Sequence, residues 1–191
     1  MKTRPSRRSH AAGYRCRWQT WLPASVGPLR DWLQEPGSLS RRLAGAAPGF
    51  HVRVLTEGVA RPLPGEARVL GLAQRLWLRE RDVLLCSQND ELVYAHTVSR
   101  RAACDAAWPV LRRLGERPLG HLLFEAPNVR RSALVYRRLH AGEALHRRIE
   151  AALARPLPVL WARRSLFVLR GRHLLISEVF LPAMAAIAGK R

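Results

Sequence analysis

The stretch RHLLISEVFL at residues 172–181 constrains the fold more than any other part of the chain. Alternate side chains of a strand share one face, and here one such set is Leu174, Ile176, Glu178 and Phe180. The side chains between them are also mostly apolar, which is typical of a central strand covered on both sides. Glu178 therefore points into the interior, where a lone carboxylate is unfavourable by several kcal/mol unless a partner meets it.

Two hairpins define the predicted sheet. Residues 76–86 and 91–98 alternate on either side of the turn SQND, and residues 159–171 and 172–181 meet around Gly171-Arg172. Because hairpins replace strand–helix–strand alternation, we predict an α+β fold, a single domain with an antiparallel β-sheet and helices packed on one face. Further strands are predicted at 50–55 and 129–139, a loop at 58–69, and helices at 28–33, 38–45, 101–114, 116–124 and 142–154.

The length of 191 residues suits one domain. We expect residues 1–28 to form a basic N-terminal arm, residues 29–183 the folded domain, and residues 184–191 a C-terminal tail. No apolar run approaches the ~18 residues of a membrane-spanning helix, so no membrane insertion is predicted. The Arg-rich start lacks the apolar segment of a secretory signal, although it also resembles an organelle transit peptide.

The composition narrows the function classes. The net charge is +19, which could indicate nucleic acid, but the basic residues are nearly all Arg and are spread along the whole chain. We therefore expect no specific nucleic-acid partner, only attraction to small anionic substrates. Three cysteines without metal-ligand spacing predict a reduced, cytoplasmic protein with no metal site. Hydrolase, P-loop and dinucleotide motifs do not occur.

The partner of Glu178 stays open at this level. Arg81 shares a strand face with apolar side chains, and Arg79 has the same placement, so periodicity does not choose between them. One interpretation is an ion pair inside the sheet. The other places an Arg and Glu178 at opposite ends of a pocket, where a small polar ligand supplies the missing partners. The Arg would bind a carboxylate, and the Glu a hydroxyl or a proton.

Four segments carry a family resemblance: LRERDVLLC (78–86), AHTV (95–98), LGERPLGHLLF (114–124) and LLISEVFLP (174–182). In combination they resemble the chorismate pyruvate-lyase family, and the resemblance runs from about Leu29 to Pro182. It implies a monomeric, cofactor-free lyase with an internal ligand cavity under helical flaps. Its members convert chorismate to 4-hydroxybenzoate and pyruvate, the entry step to the ubiquinone ring.

The resemblance also implies roles for individual residues. An ungapped alignment from Leu84-Leu85-Cys86 selects Arg81 rather than Arg79 as the group that binds the substrate's ring carboxylate. The backbone amides of Leu39 and Leu119 fall where the family cradles the same carboxylate. The acid of the last motif falls on Glu178, which would hydrogen-bond the ring hydroxyl. Arg81 and Glu178 are thus the expected catalytic residues, and all four bind substrate.

Two departures from the family pattern bear on the site. His96 stands where the family carries Arg, so we expect a weaker second cation near the site. Residues 140–157 form an added helical segment, which we expect to alter the lid.

Two other function classes stay open. The same fold serves as the effector-binding domain of bacterial transcription regulators, which suggests a non-catalytic module that binds aromatic acids. That alternative requires a DNA-binding domain, and the 28 residues before Leu29 are too few for one. The third alternative is a basic nucleic-acid-binding protein, whose binding would weaken steeply with salt.

Overall fold

The two predicted hairpins form the centre of one antiparallel sheet. A computed structural model describes residues 18–73 and 76–189, and within them the sheet has seven strands in the order β1-β2-β3-β7-β6-β4, with β5 also paired to β6. The strands are β1 (Phe50–Ala60), β2 (Leu78–Ser87), β3 (Asp90–Arg100), β4 (Arg130–Arg131), β5 (Val135–Leu139), β6 (Leu160–Leu169) and β7 (Arg172–Phe180). The predicted α+β class and both hairpins are confirmed.

Strand β7 lies between β3 and β6, as its two apolar faces predict. The two faces of the sheet differ in what they carry. We call one the pocket face; its side chains include Arg81, Val83, Ala95, Ile176 and Glu178. The other is the network face; its side chains include Asp82, Leu84, His96, Ser177 and Val179.

Helices cover both faces, so the prediction of helices on one face is wrong. The described helices are α1 (Arg30–Leu33), α2 (Leu39–Ala46), α3 (Glu66–Val69), α4 (Arg101–Ala106), α5 (Leu119–Glu125), α6 (Ala144–Leu153) and α7 (Met184–Ala188), with 3₁₀ turns at Ala24–Leu29 and Pro109–Arg112. Side chains of α1 and α2 pack with Val83 and Ala95 on the pocket face. Helix α6 packs on the network face, because Leu84 and Val179 need an apolar cover there.

Two local predictions are wrong in instructive ways. The helix predicted at 101–114 ends at Ala106, and Pro109 opens a 3₁₀ turn instead, since proline lacks the N–H that would continue an α-helix. The loop predicted at 58–69 holds the end of β1 and helix α3, whose Glu66 is buried. By contrast, Ser38 caps α2 as predicted, accepting a hydrogen bond from the Arg41 amide at 3.2 Å.

The predicted arm and tail lie partly outside the described residues. Within the described part, Gln19 exchanges backbone hydrogen bonds with Tyr136 at 2.9 and 2.7 Å, and Val26 is buried in the core. Helix α7 likewise buries Met184. The described ends of the chain therefore pack on the sheet, and the division into arm, domain and tail stays a prediction.

Two further expectations, drawn from the apolar runs and the cysteines of the sequence, concern membranes and disulfides. None of the described helices has the length and apolar character needed to span a bilayer. Cys86 and Cys104 are buried and are not joined in a disulfide, and Cys16 lies outside the described residues.

Candidate active site

A cavity lies between the pocket face and the helices α2 and α5. Its volume is about 60 Å³, several times what one water molecule requires. Arg81 and Glu178 both line it, and so do Leu39 at the start of α2 and Leu119 at the start of α5. The structure thus brings all four sequence-predicted site residues to one cavity.

Arg81 enters the cavity wall from β2 and is only 6% exposed. Its guanidinium forms an ion pair with Glu57, which lies directly opposite on β1, and its Nη2 donates to the Gly115 carbonyl at 2.7 Å. A guanidinium has further N–H donors beyond these two contacts. The group is therefore held in a fixed orientation and keeps hydrogen-bonding capacity for an anion.

Glu178 meets a guanidinium, but not that of Arg81. Arg163 lies opposite Glu178 in the β6–β7 pairing, and its Nε donates to Glu178 Oε2 at 2.6 Å. The expectation that Glu178 would face a hydroxyl rather than a guanidinium is therefore wrong in part. The carboxylate also borders the cavity, and its side chain keeps 14% of its surface exposed. Glu178 is thus both ion-paired and open to a ligand.

Arg163 was missed by the sequence reasoning, although it is a wall of the same cavity. It is 1% exposed, and its Nη1 donates to the carbonyls of Trp32 at 3.2 Å and Glu35 at 2.9 Å. Trp32 lies in α1, and Glu35 lies in the segment between α1 and α2. Arg163 therefore fixes Glu178 against the segment that leads into α2. The hairpin pairing was the signal that could have found it.

The starts of α2 and α5 approach each other closely above the sheet. A Cβ on Gly120 would overlap Ser38 Oγ and lie 2.6 Å from Ser40 Oγ, so a larger residue would have to displace both serine hydroxyls. The N–H groups of a helix's first turn have no partner within the helix. Leu39 and Leu119 each occupy the first position of their helices. The close approach thus brings the first residues of both helices to the same cavity.

The network face carries a second group of buried charges. Each nitrogen of the His96 ring meets a carboxylate, Asp82 at Nδ1 and Glu66 at Nε2, the latter at 3.0 Å. Arg148 of α6 contacts Asp82 Oδ2 through Nε at 2.6 Å and Glu80 Oε1 through Nη2 at 2.8 Å. We call these five residues the charge network. Its members are paired with one another, and none of them lines the cavity.

Burial alone would lower the pKa of His96, but the contacts with the carboxylates of Asp82 and Glu66 outweigh it and raise the pKa to about 9. The ring is therefore protonated at neutral pH, donates to Asp82 from Nδ1 and forms an ion pair with Glu66 through Nε2. The same partners act on Asp82: burial would raise its pKa, yet His96 and then Arg148 hold it below the usual value. Within the charge network, each charged group thus stabilises the ionised form of its partners.

Both expected departures from the family pattern belong to the network face. His96 was expected to act as a second cation near the site, and this is wrong, since it points away from the cavity. The segment at 140–157 was expected to alter the lid, but its helix α6 packs on the face opposite the cavity. Within residues 18–73 and 76–189, no three His, Cys, Asp or Glu side chains are arranged to hold a metal ion.

Comparison with known proteins identifies the family of this chain. The family model for chorismate lyase matches residues 15–188. The chain belongs to the chorismate lyase family. A probable chorismate pyruvate-lyase of Thiobacillus denitrificans is 46% identical over 169 residues, which covers 86% of this chain and 89% of that protein. A probable chorismate pyruvate-lyase of Aromatoleum aromaticum is 44% identical over 175 residues, which covers 87% of this chain and 94% of that protein. The family resemblance stated from the sequence motifs is confirmed.

The fold also occurs among solved structures of another class. The C-terminal domain of the histidine utilization repressor of Pseudomonas syringae matches with a TM-score of 0.53 and 11% identity, over 71% of this chain and 93% of that one. At this identity the likeness shows a shared α+β architecture alone.

Proposed function

We propose that the chain is a chorismate pyruvate-lyase, which eliminates pyruvate from chorismate to give 4-hydroxybenzoate. Membership of the chorismate lyase family and the names of its relatives support this proposal. The structural observation that carries it is the placement of Arg81 and Glu178 on one cavity, with the first residues of α2 and α5 beside them. A cation and a carboxylate on one cavity match a ligand that has a carboxylate and a hydroxyl across a ring.

The ring carboxylate is bound by Arg81 and by the backbone amides of Leu39 and Leu119 in this proposal. Arg81 is buried, so its hydrogen bond to an anion is strengthened by the low local dielectric. The pair with Glu57 keeps the guanidinium plane in place before the substrate arrives. Such preorganisation lowers the entropy lost when the substrate binds.

Glu178 accepts the hydrogen bond of the ring hydroxyl. The hydrogen on the hydroxyl-bearing carbon passes to the methylene carbon of the enolpyruvyl group while the ether bond between the ring and its oxygen breaks. The ring becomes aromatic, the released fragment is pyruvate, and the hydroxyl stays on the product. Because the hydrogen moves between carbon atoms, Glu178 orients the ring and need not abstract a proton. The ion pair with Arg163 holds the carboxylate for that task.

The wider setting follows from the same proposal. We infer a cytoplasmic monomer that needs no cofactor and supplies 4-hydroxybenzoate to ubiquinone synthesis. The non-catalytic binding module stays the alternative, and it differs in one respect: it would bind aromatic acids without converting chorismate.

The test is incubation of the purified protein with chorismate, with product analysis by chromatography and a coupled assay for pyruvate. We expect 4-hydroxybenzoate and pyruvate in equal amounts. Release of the 3-hydroxy isomer would correct the product, and binding of 4-hydroxybenzoate without any turnover would favour the binding module.

A matched pair of variants tests the site. Arg81→Ala removes a buried charge-assisted contact, so we expect kcat/KM to fall by about 100-fold or more. Arg79→Ala is the control, because Arg79 lies on the same strand and does not line this cavity. Parental turnover by purified Arg81→Ala would show that Arg81 does not bind the substrate.

A further inference from the structure

A further guanidinium lines the cavity and has no role in the reaction described so far. Arg131 of β4 is half-buried between two aromatic rings, with its guanidinium carbon 5.2 Å from the ring centre of Phe124 and 5.3 Å from that of Phe167. Its Nε donates to Ser165 Oγ at 3.0 Å, and its Nη1 donates to the Pro36 carbonyl at 2.7 Å. These contacts fix the plane of the guanidinium.

Arg131 belongs to the Glu178 end of the cavity. Burial lowers the pKa of Arg131, the charge of Arg163 lowers it further, and the charge of Glu178 opposes the shift. The hydrogen-bond acceptors of Arg131 named above are a hydroxyl and a carbonyl, both without net charge. Glu35, the other nearby carboxylate, is paired with Arg42 at 3.1 Å. Arg131, Arg163 and Glu178 all line the cavity, and the carboxylate of Glu178 is paired with Arg163. The charge of Arg131 at this end therefore has no carboxylate among its named hydrogen-bond partners.

The position of that charge matches the substrate rather than the product. In chorismate the enolpyruvyl ether is attached to the ring carbon next to the one that bears the hydroxyl. With the hydroxyl on Glu178, the ether and its carboxylate extend from the same end of the ring. Arg163 is almost fully enclosed, and its named contacts go to Glu178 and backbone carbonyls. Arg131 is the more exposed of the two cations.

We propose that Arg131 binds the enolpyruvyl carboxylate of chorismate, an assignment that rests on the proposed lyase function. The substrate then meets a cation at each end, Arg81 for the ring carboxylate and Arg131 for the side-chain carboxylate. The aromatic product keeps only the first carboxylate, and the second leaves with pyruvate. Arg131 thus favours the bound substrate over the bound product and holds the enolpyruvyl group beside the hydrogen that it receives.

The test separates substrate binding from product binding. For Arg131→Gln we expect kcat/KM for chorismate to fall by about 30-fold, because a charge-assisted contact to the second carboxylate is lost. The dissociation constant for 4-hydroxybenzoate, measured by titration calorimetry, should stay within about twofold. Arg131→Lys should recover part of the lost kcat/KM. Arg130→Gln removes the exposed neighbouring guanidinium and should behave like the parent.

A purely structural role predicts a different pattern, in which product affinity falls as much as kcat/KM. That result, or a kcat/KM within about threefold of the parent, would overturn the assignment. If the parent protein itself does not convert chorismate, the proposed function fails, and no variant is needed to show it.

A measurement on the parent protein covers the case in which Arg131→Gln does not fold. The probes are 3-carboxymethoxy-4-hydroxybenzoate and its 3-carbamoylmethoxy counterpart, which have the same shape and differ by one negative charge. We expect the first to bind about tenfold more tightly. Equal affinity, or tighter binding of the uncharged form, would show that no cation meets the second carboxylate.

Discussion

The two faces of the sheet bury charge in opposite ways. On β2, Arg81 points to the cavity and its neighbour Asp82 points to the charge network. Asp82 meets charged partners on the protein itself, His96 and Arg148. Arg81 and Glu178 also have protein partners, yet both line the cavity. A buried charge is therefore a poor indicator of a functional site, and a buried charge beside a cavity is a much better one.

The difference predicts that charge removal on the network face affects stability rather than catalysis. Asp82→Asn leaves His96 and Arg148 without their shared carboxylate in a buried place, and breaking such a pair costs about 3–5 kcal/mol. We expect that loss in the free energy of unfolding in urea. Per folded molecule, kcat/KM should stay within about twofold of the parent.

The control for this variant is Asp90→Asn, at the exposed end of β3, which should change neither quantity. A large fall in kcat/KM at unchanged stability would remove the distinction between the two faces.

A pH titration of stability sharpens the comparison, because His96 gives the charge network a titratable group. The pKa of His96 is raised to about 9 in the folded protein, against about 6.5 when unfolded. Folding thus favours the protonated ring. Its contribution is fully present below about pH 6.5 and is lost as the pH rises through about 9. By linkage the loss amounts to about 3 kcal/mol.

The measurement is the free energy of unfolding of the parent and of His96→Gln between pH 6 and 10. We expect the difference between the two proteins to shrink steadily over the upper part of that range. Parallel curves would mean that His96 keeps its ordinary pKa in the folded protein.

The smallest expected effect is on the pocket face. Glu178→Gln keeps the shape and an acceptor for the ring hydroxyl but removes the charge, so we expect kcat/KM to fall by about 30-fold, or about 2 kcal/mol. Stability should fall as well, because Arg163 loses its carboxylate partner and keeps only backbone carbonyls, so kcat/KM is measured per folded molecule. Glu91→Gln, on the rim of the sheet, is the matched control. Equal loss of activity in both variants would contradict a specific role for Glu178.

The local pattern of apolar residues was enough to predict the strands, the hairpins and the central place of β7. Alternation of apolar side chains depends only on neighbouring residues. Which residue lies opposite Glu178 depended on the exact position of one turn. The sequence reading placed that turn at Gly171-Arg172, which would set Ser165 opposite Glu178. The turn lies at Arg170-Gly171, where both residues have positive φ, and this brings Arg163 opposite instead. A shift of one residue in a turn moves the pairing by two.

Other features lay beyond any local pattern. The sequence pattern placed Glu66 in a loop. Its buried carboxylate is paired with His96, which lies thirty positions further along the chain. The four predicted site residues came from the family motifs, and the structure places all of them on one cavity. Their roles in the reaction stay predictions for the experiments above.

The contacts of Arg163 also bear on the order in which the molecule assembles. Its guanidinium donates to the carbonyls of Trp32 and Glu35, which are 131 and 128 positions away along the chain. Small domains fold more slowly when their contacts join distant parts of the chain, because closing a long loop costs entropy before any contact stabilises it. The cation that holds Glu178 is covered only when an early helix has docked on the hairpin β6–β7. A ribosome-bound chain therefore carries no complete cavity until that hairpin has been synthesised and folded.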